Sequence, residues 1–398
     1  MNTERRAKDF RKIFFADLVV RSGYQVGKTP LLPVFAAMLG ASDLLVGAIV
    51  STSTLTGLLI KPLVGILSDR WGRRAWCLLG VALFVSVPFA YGLVQSPGQL
   101  VAVRVIHGLA TAVFGPVSVA LVVEIADKRV GTKLGWFGIS RAIGYVLGPA
   151  IGGWLVTRAE PVHVFYAIGL FSSLAMIPLL LVRDTRTPVR AEKSSLFHQF
   201  RAAFNTGGRT PSVWLSGMVE GLFYVAVYSL KTFLPLRALA DGSSLLTVGL
   251  LLSVQEAVHL SARPLGGYCG DRIGHGLTVA IGLIVAGVSL MAVPLLLDST
   301  HGLVVAFVFM GLGQAMLVPS IQALIAEQIH SAHLGAGVGM AGSLRNAGKV
   351  LGPIVGGVLT AQFSFSLALV ILGGLLVVLS VAVFRLSRGH LCRDDRRR

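Results

Sequence analysis

The side chains able to do chemistry in this sequence are ionisable groups set inside long apolar runs. Glu256, with Gln255 beside it and His259 less than a helical turn further on, lies in the middle of one such run. Asp17 and Arg21 stand four apart in the first run, a spacing that puts both on one helix face, and Lys28 follows them. Glu220 and Lys231 share a third run, Arg104 and His107 a fourth, and Arg141 and Arg345 fall in two further runs, with Lys349 one turn after Arg345. A charge at membrane depth is expensive, so it turns toward the protein interior, a water-filled cavity or a partner. The work open to such groups is to load and release protons and to pair with a charged ligand. Glu256 is expected to be the principal proton carrier, because it is a carboxylate deep in its run; a static pair with a nearby Lys or Arg is the alternative. Asp17, close to a boundary, is either a second protonatable carboxylate or an interfacial ion pair with Arg21, and Glu220 is a third candidate. His107 can relay protons near neutral pH or act as a hydrogen-bonded packing residue. Arg21, Arg104, Lys231, Gln255 and His259 are expected to line a polar cavity. Arg141 and Arg345, toward the ends of their runs, are gate or interfacial residues. Lys and Arg outnumber the carboxylates in these runs, which leaves positive charge for an anionic or zwitterionic ligand.

Other chemistries find no footing in the sequence. There is no nucleophile–base arrangement, no His/Cys cluster with metal-ligand spacing and no phosphate-binding loop. The three cysteines, Cys77, Cys269 and Cys392, lie far apart with no paired spacing, so neither a disulfide framework nor a metal site is indicated. No metal and no cofactor are expected.

The elements that must position these groups follow from composition. Of 398 residues, 54% are hydrophobic and 13% charged, against about 25% charged in a soluble protein. The mean hydropathy is +0.77. Apolar runs recur along the whole length, each able to cross about 30 Å of hydrocarbon. The pattern predicts an all-α polytopic membrane protein with twelve spans near 13–37, 44–66, 75–95, 98–124, 131–157, 160–182, 212–238, 244–266, 276–297, 301–328, 334–361 and 364–386. These form an N-terminal half (1–182), a polar linker (183–211) with a short amphipathic helix near 197–204, a C-terminal half (212–386) and a basic tail (387–398). The net charge of +17 comes from Lys and Arg clustered in alternate loops and the tail. That asymmetry places both termini in the cytoplasm and argues against nucleic acid as a partner.

The two halves repeat. KPLVGILSDRWG at 61–72 matches RPLGGYCGDRIG at 263–274, and Gly108, Pro116 and Glu124 match Gly311, Pro319 and Glu327. The glycine-rich stretch at 135–153 (GWFGISRAIGYVLGPAIGG) returns at 339–357, so that Arg141, Gly144, Gly148, Pro149 and Gly152 correspond to Arg345, Gly348, Gly352, Pro353 and Gly356. Small residues at helical spacing leave a face that a neighbouring helix can approach closely, and a proline lets the helix bend. The stretch is either a moving part or tight static packing. At the end of the second span Asp69 sits beside Arg70, Arg73 and Arg74. An Asp there can accept hydrogen bonds from a neighbouring helix N-terminus, and the arginines can pair with carboxylates such as Glu124.

Together these stretches resemble the major facilitator superfamily of transporters along the whole chain. GILSDRWGRR at 65–74 is similar to the family's loop signature between spans two and three, Arg104 with Gly108 to its fourth-span motif, and 135–153 to the fifth-span motif of its drug/proton antiporters. The second-half copies are weaker, since Gly274-His275-Gly276 lacks the Arg pair and Phe307 stands where Arg104 would repeat. The resemblance implies two six-helix halves related by a pseudo-two-fold axis, with substrate bound near mid-membrane. It implies a proton-relay or substrate-contact role for Arg104. It also implies a conformational latch at Gly65, Asp69, Arg70, Gly72 and Arg73 with their copies Gly267, Asp271 and Arg272, in which Gly65 and Gly72 allow close backbone approach. The expectation is a monomeric multi-pass protein of the plasma membrane of a bacterial cell, with lipid and a small molecule as its partners. It would export that molecule in exchange for protons by rocker-switch alternating access, driven by the proton gradient. An anionic metabolite or lipid-like anion is the alternative substrate, uptake by symport is a lesser one, and an enzyme or sensor is disfavoured.

Overall fold

The computed structural model describes residues 3–126, 130–182, 211–328 and 334–394, and these residues are helical with no strand among them. The expected linker at 183–211 and its amphipathic helix lie outside them up to residue 210, and so do the side chains of Asp69 and Arg70. The chain opens with α1 (Thr3–Val26), a wide turn at Gly27–Leu31 and α2 (Leu32–Met38). There follow α3 (Asp43–Trp71), α4 (Arg73–Ala90), α5 (Pro97–Ala126), α6 (Val130–Val156), α7 (Pro161–Ser173) and α8 (Met176–Leu180). Beyond residue 210 come α9 (Pro211–Ala240), α10 (Leu245–Ser261), α11 (Arg263–Ile273), α12 (His275–Ala292), α13 (Thr300–Gln328), α14 (Leu334–Gln362) and α15 (Phe365–Asp394).

Among the described residues nine helical stretches are long and apolar enough to cross a membrane, and the bent pair α10–α11 makes a tenth. The first and eleventh expected spans are helical as well, but α1 is charged at its start and interrupted, and α14 carries Arg345 and Lys349 among many glycines. The sharp breaks fall elsewhere than at the prolines of the glycine-rich stretches. Thr29, ahead of Pro30, is extended (φ −148°, ψ 124°), and α10 meets α11 at 49°. By contrast α6 and α14 run through Pro149 and Pro353 as single helices. A proline removes one N–H donor, and next to Pro149 the Ala150 N–H is taken up by Ser253 Oγ at 3.1 Å.

The described residues group into two compact units, Met1–Glu192 with Leu234–Ser253, and Lys193–Phe233 with Val254–Arg398. In the first unit, one apolar cluster gathers Phe84, Phe114 and Phe137 and a second gathers Phe35, Tyr91 and Phe165. The glycine-rich face of α6 packs on α1: a Cβ on Gly144 would lie 3.2 Å from the Arg21 carbonyl, and one on Gly152 2.7 Å from the Val26 carbonyl. In the second unit α14 meets α9 in the same way, with Gly348 against Gly221 and Gly352 against Tyr228. The close approach is therefore between the first and fifth spans of one repeat.

Gly72 and Gly274 end α3 and α11 with φ of 94° and 90°, a conformation L side chains rarely adopt. The turn itself demands glycine there. Gly65, expected to permit close approach, has nothing within 4 Å of where a side chain would start, and neither does its copy Gly267. Gly148→Leu would drive its first carbon to 2.5 Å from Gln25 Cβ, whereas Gly135 faces open space. Overpacking of this kind costs about 1–3 kcal/mol. Melting of the purified protein in detergent should therefore show a lower midpoint for Gly148→Leu and Gly348→Leu and a wild-type midpoint for Gly135→Leu.

Candidate functional site

In the first unit, Asp17 is fully buried in α1 and holds three partners. Arg21 Nε donates to its Oδ1 at 3.4 Å, Ser140 Oγ to its Oδ2 at 2.6 Å, and Arg141 Nε stands 3.8 Å from that oxygen. The i,i+4 spacing of Asp17 and Arg21 makes the first contact, and the glycines of α6 bring Ser140 and Arg141 close enough for the others. Arg104, 1% exposed, donates to Tyr91 Oη at 3.2 Å and to Ser53 Oγ, and its Nε has no partner among the described residues. His107 is buried against the rings of Tyr24, Phe84 and Tyr91, with Nδ1 3.1 Å from Tyr91 Oη. Arg104 and His107 thus share Tyr91 and stand away from Asp17. Arg104 is enclosed by protein, which differs from the cavity lining expected for it. Its partners are hydroxyls, Ser53 on α3 and Tyr91 just beyond the end of α4.

In the second unit, Glu256 holds the most continuous polar chain. Lys231 Nζ donates to its Oε1 at 2.5 Å. His259 Nδ1 lies 3.2 Å from Oε2, and Arg263 Nε lies 3.2 Å from His259 Nε2. A guanidinium can only donate, so Nε2 accepts and Nδ1 carries the hydrogen that goes to Glu256. The row reads Arg263 to His259 to Glu256, closed by Lys231. Glu220 is buried and accepts from Arg345 Nη1 at 3.2 Å, while the Lys349 ammonium stands 4.5 Å from the Tyr224 ring. Gln255, placed with the cavity residues by sequence, turns instead to Gln314, donating from Nε2 at 2.9 Å.

At the helix ends, Arg73 Nη1 contacts Glu124 Oε2 at 3.4 Å, the pairing expected from the sequence. In the second repeat His275 takes the place of Arg73 and lies 3.3 Å from Glu327 and 3.6 Å from Asp271. Among the described residues no group of His, Cys, Asp or Glu could hold a metal.

The family model described as Major Facilitator Superfamily matches residues 24–239 and 213–391. The chain belongs to the major facilitator superfamily. It is a multi-pass membrane transport protein. Among its relatives, Multidrug resistance protein MdtG of Serratia proteamaculans is 26% identical over 363 residues, covering 89% of this chain and 87% of the relative. MdtG of Proteus mirabilis is 27% identical with 89% of each covered. The uncharacterized MFS-type transporter YuxJ of Bacillus subtilis is 27% identical over 80% of this chain and 82% of its own. Two solved structures share the fold. The nucleoside transporter NupG superposes with a TM-score of 0.77 at 16% identity, covering 97% and 99% of the two chains. A bacterial homolog of the human lysosomal transporter Spinster does so with 0.76 at 16% identity, covering 98% of each.

The superfamily repeat explains pairings that inspection of single residues passes over. Asp17 and Arg141 correspond to Glu220 and Arg345, and Lys28 and Ser53 to Lys231 and Glu256, each at the same 203 or 204 offset as the motifs. Ser53, Tyr91, Ser140 and Gln314 carried no signal of their own, since a hydroxyl or amide in an apolar helix is common and its partner lies on another helix, and Arg263 was visible only as the first residue of the repeated motif at 263–274. Breaking a buried ion pair from one side costs about 3–5 kcal/mol, while removing both charges is close to neutral. Lys231→Met is therefore expected to destabilise the protein by about 3 kcal/mol, and Lys231→Met with Glu256→Gln to recover most of it. Chemical denaturation of the single and double variants in mixed micelles measures the difference.

Proposed function

We propose that this transporter exports a small organic molecule in exchange for protons, and that Glu256 carries the proton. The observation that carries the assignment is the pairing of Glu256 between Lys231 and the His259–Arg263 pair at the middle of the chain's eighth expected span. A proton on Glu256 cancels the charge that holds Lys231, and loss of that proton restores it. The two states of the carboxylate thus differ by a whole ion pair, and a ligand or proton shifts a conformational equilibrium only by such a difference. His259, whose Nδ1 hydrogen already points to Glu256, is the neighbour that would pass a proton to the carboxylate, and Arg263 holds its ring in that orientation.

Export rather than uptake is favoured by the fifth-span glycine motif and by the multidrug resistance name of the MdtG relatives. Asp17 and Glu220 are the further proton candidates. Each is tied to an arginine on the fifth span of its own repeat. We place the protein in a bacterial plasma membrane with both termini in the cytoplasm, since the cations concentrate in the even-numbered loops and tail.

The test is proton movement in proteoliposomes containing purified protein and an internal pH dye. A panel of cationic, neutral and anionic compounds is added in turn. Glu256→Gln should abolish compound-evoked proton flux while leaving the protein folded and membrane-inserted. Unchanged flux in that variant would move the proton to Asp17 or Glu220, and an absence of evoked flux in the wild type would remove antiport.

A further inference from the structure

The first unit holds a cleft of about 260 Å³ between α1, α6 and α7. Gly23, Val26 and Ile168 are its buried residues, while Ile151, Ala167 and Phe171 are exposed. The first three make the floor and the last three the rim. Ser22 is the one hydroxyl residue of the lining, and the walls are carbon almost throughout, with no charged side chain among them. Gly23 helps to leave the room. A Cβ there would lie 3.4 Å from Ile168 Cγ2 and 3.6 Å from Phe171 Cδ1, so a side chain at this position would push between two residues of the cleft.

The mouth of this cleft opens on hydrocarbon. Its α6 and α7 walls belong to stretches long and apolar enough to cross a membrane, and its α1 wall lies in the middle of the first expected span. Leu147, one turn before Ile151, and Leu174, just beyond Phe171, are exposed as well, so the apolar surface continues past the rim on both helices. The charged groups of α1 and α6 turn to a different neighbour. Arg141 Nη2 reaches the Gly115 carbonyl of α5 at 3.5 Å, and Arg21 Nη2 lies 3.3 Å from where a Gly115 side chain would start. A charged side chain at membrane depth faces the protein interior, and the exposed apolar face beside α7 is the one left for lipid.

We infer that this cleft seats one acyl chain of a bilayer phospholipid. A cavity of about 150 Å³ with apolar walls takes up benzene, six carbons, and in proportion this cleft holds a stretch of about ten. Left empty, its walls would forfeit their dispersion contacts. Each helix contributes only about one turn to the lining, too short a trough for a partner helix about 10 Å across. Uncharged walls have nothing with which to grip a headgroup, so the chain alone is recognised. It rests on Val26, in the last turn of α1 before the extended Thr29. The site takes nothing from the export proposal.

Photolabelling of the full chain in nanodiscs tests the site without any gradient. The probe is phosphatidylcholine with a diazirine in the middle of one acyl chain, added as a small fraction of the lipid. After illumination, peptide mass spectrometry should find label around Ile151 and from Ala167 to Phe171 at least about fivefold above that at Leu375 and Val378 of α15, which are at least as exposed as Ile151. Gly23→Leu from the floor and Ala167→Phe from the rim fill the cleft, and each should lower its labelling to the α15 level. Phosphatidylglycerol with the same chain should label as phosphatidylcholine does. Melting curves establish that each variant is folded, and Ala167→Phe answers for the cleft if Gly23→Leu does not fold. Wild-type labelling no higher than that of α15, unchanged labelling in either folded variant, or labelling that follows the headgroup would overturn the inference.

Discussion

The cost of a charge in hydrocarbon organises this protein. Each ionisable side chain within a span must find an opposite charge, a hydroxyl or water, and Asp17, Glu220 and Glu256 meet that demand in three ways. Asp17 gathers Arg21, Ser140 and Arg141 across α1 and α6. Glu220 ties α9 to Arg345 on α14. Glu256 is held between Lys231 on α9 and His259 on its own helix. Each pairing fastens two helices or stiffens one, so the same interactions that make the charges tolerable also hold the helices in register. Arg104 is the exception, a wholly buried cation served by Ser53 and Tyr91.

These pairings need backbones that come unusually close, and glycine provides the closeness. Ser140 and Arg141 reach Asp17 because Gly144, Gly148 and Gly152 let α6 lie on the backbone of α1. The equivalent glycines of α14 do the same for Arg345 and Glu220. In lipid there is little hydrophobic force between helices, so packing of small residues and polar contacts supply much of the association. The glycine stripe and the buried ion pairs are thus one device, repeated once in each half of the sequence.

The repeat has not kept its chemistry equal. Where the first half places Ser53 and Arg104, the second places Glu256 and Phe307; where the first places Arg73, the second places His275. The second half holds the carboxylate chain.

Composition, hydropathy and the 202–204 offset were sufficient for the all-helical membrane fold, because the bilayer admits few solutions to a chain of apolar runs. They also marked the charged residues inside the spans, since a Glu, Arg or Lys at that depth stands out against its surroundings. The Asp17–Arg21 pair was legible because both residues share one helix, and the Arg73–Glu124 pair because the motif carries it. The tertiary structure decided the rest. It set Lys231 on Glu256, Arg345 on Glu220 and Ser140 on Asp17, contacts 25, 125 and 123 residues apart in sequence. It assigned Gly72 to a left-handed turn, closed Arg104 away from solvent, and put the breaks at Thr29 and Ala262 with α6 and α14 running through their prolines. A hydropathy pattern records how deep a residue lies and which helix carries it. The partner of a side chain depends on how helices are rotated against one another, and that is fixed only when glycine faces and charges from distant segments pack together.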